Sequence, residues 1–362
     1  MKVIVGMSGG VDSSVAAYLL KRQGYEVEGL SFILMEMRGE IGPQPLREYG
    51  RVAGDSACQT LCCSVQAIEE AKKTAGLIGI PHSALDLSDE FMELVVEPFI
   101  KSYSKGLTPN PCILCNKYIK FPYLLREAER KGADFIATGH YAITEGGLLK
   151  KGIDPRKDQS YVLYALRKEE LKRLVLPLGG HKKDDIRAIA KDAGLPVFDR
   201  PESQEICFVG ADSYAAFIGS IEPSPEGPIL DMAGHEIGRH KGIHRYTIGQ
   251  RKWLGISSAE PLYVVGIDPA KNAITVGPKE AAYKSEFAVA DPNWLTEKEN
   301  EFKAEVKVRS MMKAEPATVY IEDGRVRVIY DHPQWAPAPG QSAVFYEGDI
   351  VVGGGVIEEI IR

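Results

Sequence analysis

The chain has 362 residues, 44% hydrophobic and 26% charged, with 36 Gly and 22 Pro, a balance expected of a soluble globular protein of two or three domains and foreign to collagen-like, wholly disordered or disulfide-stapled miniprotein architectures. Lys and Arg number 44 against 50 Asp and Glu, a net charge of −6, which excludes nucleic-acid binding through a generally cationic surface and leaves that task to local basic patches. The longest apolar runs, at 3–5 and 30–35, fall far short of the roughly 18 residues of a membrane-spanning helix. Met1-Lys2 leads straight into a strand pattern, so neither membrane segment nor cleavable leader is expected and the chain reads as cytoplasmic.

In the first half, β-type apolar runs at 2–7, 26–34, 82–87 and 133–138 alternate with helical patterns at 13–22, 67–79 and 116–131, the last carrying Ile119, Tyr123, Leu124 and Ala128 at helical spacing. This alternation predicts parallel strands joined by helices. Residues 37–62, with Gly42, Pro43 and Pro45, and residues 107–115, with Pro109 and Pro111, are expected to be loops; loops at the strand ends of such a sheet are where ligands bind. Beyond Gly210 the helical period fades into short strands at 262–267, 302–310, 317–321, 326–330 and 342–346, and Glu322-Asp323-Gly324-Arg325 marks a hairpin. One domain boundary is expected near residue 210 and a weaker one near 280, at Gly277-Pro278-Lys279-Glu280.

The first strand runs into Ser8-Gly9-Gly10-Val11-Asp12-Ser13-Ser14 and a helical pattern. A strand, a glycine turn and a helix N-terminus carrying hydroxyls make an anion site, because unpaired N–H groups and the helix dipole both favour phosphate. The Gly-Lys-Ser/Thr ending of a Walker loop and the Gly-x-Gly-x-x-Gly of dinucleotide folds are both absent. A plain helix cap would need neither two adjacent glycines nor three hydroxyls.

Ser8–Ser14 resembles the PP-loop of the ATP pyrophosphatases, which split ATP between the α and β phosphates and adenylate a substrate. Further segments resemble one branch, the bacterial tRNA-specific 2-thiouridylases: Thr108-Pro-Asn-Pro-Cys-Ile-Leu-Cys-Asn-Lys117 with Ile119-Lys-Phe121, Thr138-Gly-His-Tyr141, Lys157-Asp-Gln-Ser-Tyr161, Ser203-Gln-Glu-Ile-Cys-Phe208, Tyr246-Thr-Ile-Gly-Gln-Arg251, and Pro339-Gly-Gln341 with Gly353-Gly-Gly355. The resemblance implies an α/β, Rossmann-like PP-loop domain of the adenine nucleotide alpha hydrolase type over 1–210, a small central β-rich tRNA-binding domain over 211–280 and a C-terminal β-barrel over 281–362. It implies ATP-dependent 2-thiolation of the wobble uridine of tRNA, with Mg²⁺ and a sulfur donor: a cysteine desulfurase, a sulfur relay protein or sulfide.

Carried onto this sequence, the resemblance assigns ATP to Gly6, Met7, Ser8, Gly9, Gly10, Val11, Asp12 and Ser13, with Phe32 and Gly139 near the adenine or ribose and Asp12 helping to place Mg²⁺. Asn110, Pro111 and Cys112 would meet the target base, and His140, Lys157, Asp158, Gln159, Arg309 and Gln341 the tRNA. Taken singly, His140 also reads as a satisfied core histidine and Gln341 as a turn residue. Such a pocket is needed because a base must leave its stack before its chemistry is accessible. Adenylation is needed because the uracil C2 oxygen must become a leaving group before sulfur can displace it.

Cys115 and Cys207 match the two catalytic cysteines, Cys207 carrying sulfur as a persulfide and Cys115 releasing sulfide or closing a disulfide. Many family members have Asp where this chain has Cys112. The replacement creates Cys112-x-x-Cys115 and opens another route: thiolates of Cys112, Cys115 and Cys207 could hold a [4Fe-4S] cluster with one iron open to hydrosulfide. Zinc on this motif, and plain burial of Cys112, stay open as well. Cys62 and Cys63 read as packing or helix-cap residues, and Cys58, Cys62 or Cys63 is open as the fourth ligand that a structural zinc would need.

Arg239, His240, Lys241, His244, Arg245, Arg251 and Lys252 come without an intervening acid, and Lys150, Lys151, Arg156 and Lys157 form a second group; both suit a polyanion and both also suit a solvated face. Two rivals remain: a noncatalytic tRNA-binding or iron-sensing protein with a relic nucleotide site, and an amide-forming adenylating enzyme, which leaves the cysteines unexplained.

Overall fold

The structure is a computed structural model and describes residues 1–35, 65–199, 206–209, 214–322 and 324–362. The predicted loop at 37–62, together with Cys58, Cys62 and Cys63, lies outside the described residues. The chain forms two compact units, one of Met1–Val96, Pro111–Asp212 and Asp349–Val351, the other of Glu97–Asn110, Ser213–Gly348 and Val352–Arg362.

The first unit is built on a parallel five-stranded sheet. Its strands are β1 (Lys2–Gly6), β2 (Glu26–Ile33), β3 (His82–Asp86), β4 (Phe135–Ala137) and, after the antiparallel hairpin of β5 (Ala142–Glu145) and β6 (Leu148–Lys151), β7 (Leu174–Val175), in the order β3-β2-β1-β4-β7. Strand β1 is central and apolar on both faces, as a doubly covered strand must be: Val3, Ile4 and Val5 are fully buried. On one face Val3 and Val5 pack with Ala17 and Leu20 of α1 (Val11–Arg22) and Ala71 and Ala75 of α2 (Val65–Ile78). On the other, Leu124 of a later helix, Phe121–Arg130, reaches Gly6, where a Cβ would lie 3.3 Å from its Cδ1. The chain leaves β1 in one direction through β2 and β3, then returns to β1's other side as β4. That reversal is the topological switch where such sheets hold ligands, at the carboxyl ends of the strands.

Residues 107–115 are not wholly a loop. After α3 (Ser88–Phe91), a π-helical turn Met92–Val96 and α4 (Glu97–Ser104), helix α5 starts at Pro111 (Pro111–Leu114) and passes through a second π-turn, Cys115–Lys120, into α6 (Phe121–Arg130). Proline read as a breaker acts here as an initiator, because a first helical residue has no intrahelical use for its N–H. The hairpin of β5 and β6 turns at Gly146-Gly147, with φ of +60° and +79°, the primed geometry that suits strand twist.

In the second unit, β8 (Gly227–Leu230), β9 (Glu236–His240), β10 (Tyr263–Asp268) and β11 (Ala273–Gly277) form a sheet ordered β10-β11-β8-β9 over Ile229, Val264, Ile274 and Val276. Next come β12 (Tyr283–Trp294), β13 (Glu301–Lys307), β14 (Glu315–Glu322), β15 (Arg325–Trp335), β16 (Ser342–Glu347) and β17 (Ile350–Ile360), ordered β12-β15-β14-β13-β16-β17. Pairing of β12 with both β15 and β17 closes them into a barrel, which leaves no open edge. The expected hairpin is present, with Glu322 opposite Arg325. The fold class is thus the expected one: an α/β N-terminal domain, a small β-rich domain and a C-terminal β-barrel. No helix among the described residues is long and apolar enough to cross a membrane.

Candidate active site

The glycine turn after β1 is held from behind. Met7 N–H donates to the Leu30 carbonyl (2.8 Å) and the Met7 carbonyl accepts from Ser31 Oγ (2.6 Å), itself bonded to His82 Nε2 (2.8 Å). Within the turn, Ser8 N–H donates to Ser13 Oγ (3.1 Å), while Ser13 Oγ and Ser14 Oγ donate to the Gly10 carbonyl (3.2 and 2.9 Å). Helix α1 starts at Val11 with Gly10 as its cap residue and no side chain capping it, so its first-turn donors face outward for an anion. Gly9 sits at φ +73°, and a Cβ there would lie 2.3 Å from the Ala67 carbonyl oxygen; only glycine fits. After β4, Gly139 leans on the same turn: a Cβ would come within 2.7 Å of both Asp12 C and Ser13 N.

Asp12 is fixed by two residues that the sequence reading gave no role. Lys183, at the start of α9 (Lys183–Asp192; α7 is Ser160–Leu163 and α8 Lys168–Arg173), places Nζ 2.7 and 2.8 Å from the two Asp12 oxygens, and Tyr141 OH donates to Asp12 Oδ1 (2.6 Å). Lys183 is only 5% exposed, and its backbone N–H donates to buried Asp154 (3.2 Å). Burial works to raise the Asp154 carboxyl, but N–H donors from Lys183 and Arg156 hold it below the usual carboxylate range. In sequence Lys183 belongs to His181-Lys-Lys-Asp-Asp185, which looks like a solvated face; its burial alone reveals it.

His140 follows Gly139, with Nδ1 2.8 Å from Thr138 Oγ1 and its ring 5.8 Å from that of Phe121. Burial, reinforced by the charge of Lys120, lowers its pKa to about 3, so the imidazole is neutral at physiological pH. Asp158 accepts from the N–H groups of Gly152 and Ser160 and from Ser160 Oγ, and Gln159 Oε1 accepts from Tyr141 N–H (2.9 Å). These two side chains brace the 152–160 segment that carries half-buried Lys157. Phe32 is half-buried on β2 opposite Leu85.

Pro111 and Cys115 are buried, Cys112 is exposed and Cys207 is half-buried. Asn116 Nδ2 ties the Cys115–Lys120 turn to the Val162 carbonyl (2.9 Å), and this turn packs on α3 and on Met92–Val96. Phe208, next to Cys207, meets Phe91 of α3 edge-on at 5.7 Å. Both cysteine-bearing segments therefore rest on one helical support. Among the described residues no three His, Cys, Asp or Glu side chains stand close enough to hold a metal ion. Asn110, Arg309 and Gln341 belong to the second unit. Arg309 Nη2 donates to the carbonyls of Ile248 (2.7 Å) and Ala336 (3.0 Å), and the Gln341 carbonyl accepts from Ile357 N–H (2.7 Å).

An uncapped helix behind a glycine turn, at the switch point of a parallel sheet, defines an α/β domain built to bind an anionic ligand such as a nucleotide phosphate. Comparison with known families agrees: the model for the tRNA methyl transferase HUP domain matches residues 1–211, the tRNA methyl transferase PRC-barrel domain 215–278 and the aminomethyltransferase beta-barrel domain 284–357. The chain is 48% identical over 375 residues to a tRNA-specific 2-thiouridylase of Caldanaerobacter subterraneus subsp. tengcongensis, covering 100% of this chain and 99% of that protein. It is 46% identical to one from Thermoanaerobacter pseudethanolicus (100% and 99% covered) and 44% to one from Acetivibrio thermocellus (99% and 99%). The chain belongs to the tRNA-specific 2-thiouridylase family.

Proposed function

We propose that the chain is a cytoplasmic tRNA sulfurtransferase that uses ATP to replace oxygen by sulfur at C2 of the wobble uridine, with catalytic, central and barrel domains over 1–210, 211–280 and 281–362. The observation that carries this is the intact phosphate turn, uncapped at α1 and backed by Gly139, in a chain related over its full length to such enzymes.

The backbone of Gly6 to Ser13 receives the ATP phosphates, and Phe32 and Gly139 flank the nucleoside. Mg²⁺, when bound, would neutralise the pyrophosphate; Asp12, whose oxygens accept from Lys183 and Tyr141 and keep a lone pair free, would help to hold it, and no step is derived through the metal. Uracil O2 attacks the α-phosphorus and pyrophosphate leaves. The terminal sulfur of a Cys207 persulfide then attacks C2 and AMP departs with the former O2. Cys115 thiolate attacks Cys207 Sγ, the bond from Sγ to the transferred sulfur breaks in favour of the base, and a Cys115–Cys207 disulfide remains for an external thiol to reduce. Asn110, Pro111 and Cys112 meet the base. His140, Lys157, Asp158, Gln159, Arg309 and Gln341 bind or shape the tRNA site. A cysteine desulfurase or a relay protein then restores the persulfide by passing sulfane sulfur to the reduced Cys207 thiolate; sulfide restores it instead by attacking Cys207 Sγ of the unreduced disulfide, with Cys115 thiolate as the leaving group. A [4Fe-4S] cluster on Cys112, Cys115 and Cys207 is the alternative carrier of the sulfur, and no step is routed through it.

Nucleoside mass spectrometry and AMP release test this scheme. Cys207→Ser should abolish 2-thiouridine and the AMP release that accompanies sulfur attack, while tRNA-dependent release of pyrophosphate persists. A fully active Cys207→Ser refutes the persulfide, and about four irons per chain after anaerobic purification, lost in Cys112→Ala, would move sulfur delivery to a cluster.

A further inference from the structure

Trp253 is 88% exposed and holds a backbone φ of +66°. A bulky side chain rarely adopts that left-handed conformation, and an indole in water forgoes the burial for which tryptophan is ordinarily used. Neither packing nor backbone preference therefore accounts for it.

The segment around it is firmly held. Ile248 and Leu254 are anchored in the core of the central sheet with Tyr246, Val264 and Ile274. Gly249 N–H donates to the Val264 carbonyl (2.8 Å), and Val264 N–H returns a bond to the Gln250 carbonyl (2.9 Å). The Gln250 side chain accepts from Thr247 N–H (3.2 Å) and donates to the Lys252 carbonyl (3.0 Å), while Arg309 clamps Ile248. The indole is thus presented on a braced loop, not trailed on a loose one.

Its chain neighbours Arg251 and Lys252 are exposed, as are Lys241 and Arg245. Among the described residues none of these four cations pairs with a carboxylate. An aromatic face flanked by unneutralised cations suits an unpaired base and its phosphates, since every base has a π-face and stacking is largely indifferent to sequence. A protein partner would have to bring its own carboxylates to the same spot.

We propose that Trp253 is a stacking platform for an unpaired nucleotide of the RNA substrate, with Arg251 and Lys252 engaging the adjoining phosphates. This rests on the tRNA reading above and adds a contact outside the catalytic domain.

The test is equilibrium binding of unmodified tRNA to the full chain across a salt series. Trp253→Ala should weaken binding about 5- to 150-fold, Trp253→Phe should recover most of it, and neither should alter the salt slope. Arg251→Ala with Lys252→Ala should flatten that slope by about two. Trp253→Gly, freed of the backbone penalty, should weaken tRNA binding without lowering the unfolding midpoint. Unchanged tRNA affinity in Trp253→Ala, with wild-type binding intact, overturns the platform and leaves the tRNA reading standing; wild-type protein that binds no tRNA overturns both. Loss of a sulfur-donor protein's binding in Trp253→Ala, with tRNA binding unchanged, would make this a protein contact and overturn the proposal too. A fall in the unfolding midpoint of Trp253→Gly would mark the indole as structural and do the same.

Discussion

The Asp12–Lys183 pair can be dissected by a double-mutant cycle. At 2.7 to 2.8 Å two unit charges attract by about 6 kcal/mol at an effective dielectric of about 20, and dehydrating an ammonium as buried as that of Lys183 offsets much of this. Removing one member of a buried pair costs about 3–5 kcal/mol because the other charge is left behind. With side-chain exposures of 33% for Asp12 and 7% for Lys183, water reaches the orphaned carboxylate more easily than the orphaned ammonium. Lys183→Met should therefore cost about 3 kcal/mol and Asp12→Asn more, towards about 5. The double variant should recover at least about 2 kcal/mol of the summed loss. Denaturant unfolding followed by far-ultraviolet circular dichroism reads the right part of the chain, since α1, α2, α6 and α9 all lie in the first unit. Additive losses would show that the two groups do not stabilise one another, and the picture of Asp12 as a carboxylate clamped by Lys183 would be wrong.

Gly139→Ala should weaken ATP binding and cost about 1–3 kcal/mol of stability, because the added Cβ meets the backbone of α1 at 2.7 Å; isothermal titration with ATP checks it, and normal affinity would count against the phosphate turn. His140 makes a pH prediction. With its pKa depressed from 6.5 to about 3 by burial and then by Lys120, the unfolded chain binds a proton that the native chain refuses. The stability from the neutral ring is therefore full above about 6.5 and drains away as pH falls towards about 3. His140→Gln should have a shallower dependence of unfolding free energy on pH in that window, while His82, His240 and His244, lowered by burial too, retain theirs; parallel curves for wild type and variant would refute the assignment.

What could be read in advance was whatever depends on local pattern. The strand–glycine–helix unit at 2–22 and the β14–β15 hairpin carry their own signals in alternation and turn residues. Pro111 misled because proline marks a helix start as readily as a stop. Strands β12 and β17 went unread because Asp291-Pro292 and Gly353-Gly-Gly355 look like breakers; in the barrel, Gly355 is required because a Cβ would sit 2.6 Å from the Ala290 carbonyl oxygen. Gly146-Gly147 was a legible turn signal left unused. Lys183 was illegible in principle, since its burial comes from α9 packing on α1, a contact 171 residues distant in the chain from Asp12. The cysteines stood out by resemblance, whereas their shared support on Phe91 and its helix is a property of the fold alone.

Gly139 bears on the first turn of α1 with no side chain between them, and the next residue, His140, faces Phe121 at the end of the Cys115 turn. Backbone and a single layer of packing thus join the phosphate cradle to the thiol-bearing helix without a hinge. In mechanical terms the two would act as one lever under the proposed scheme: a nucleotide that shifted the turn by a fraction of an ångström would carry the Cys115 segment with it, and any variant that loosens this linkage should uncouple ATP consumption from thiolation before it abolishes either.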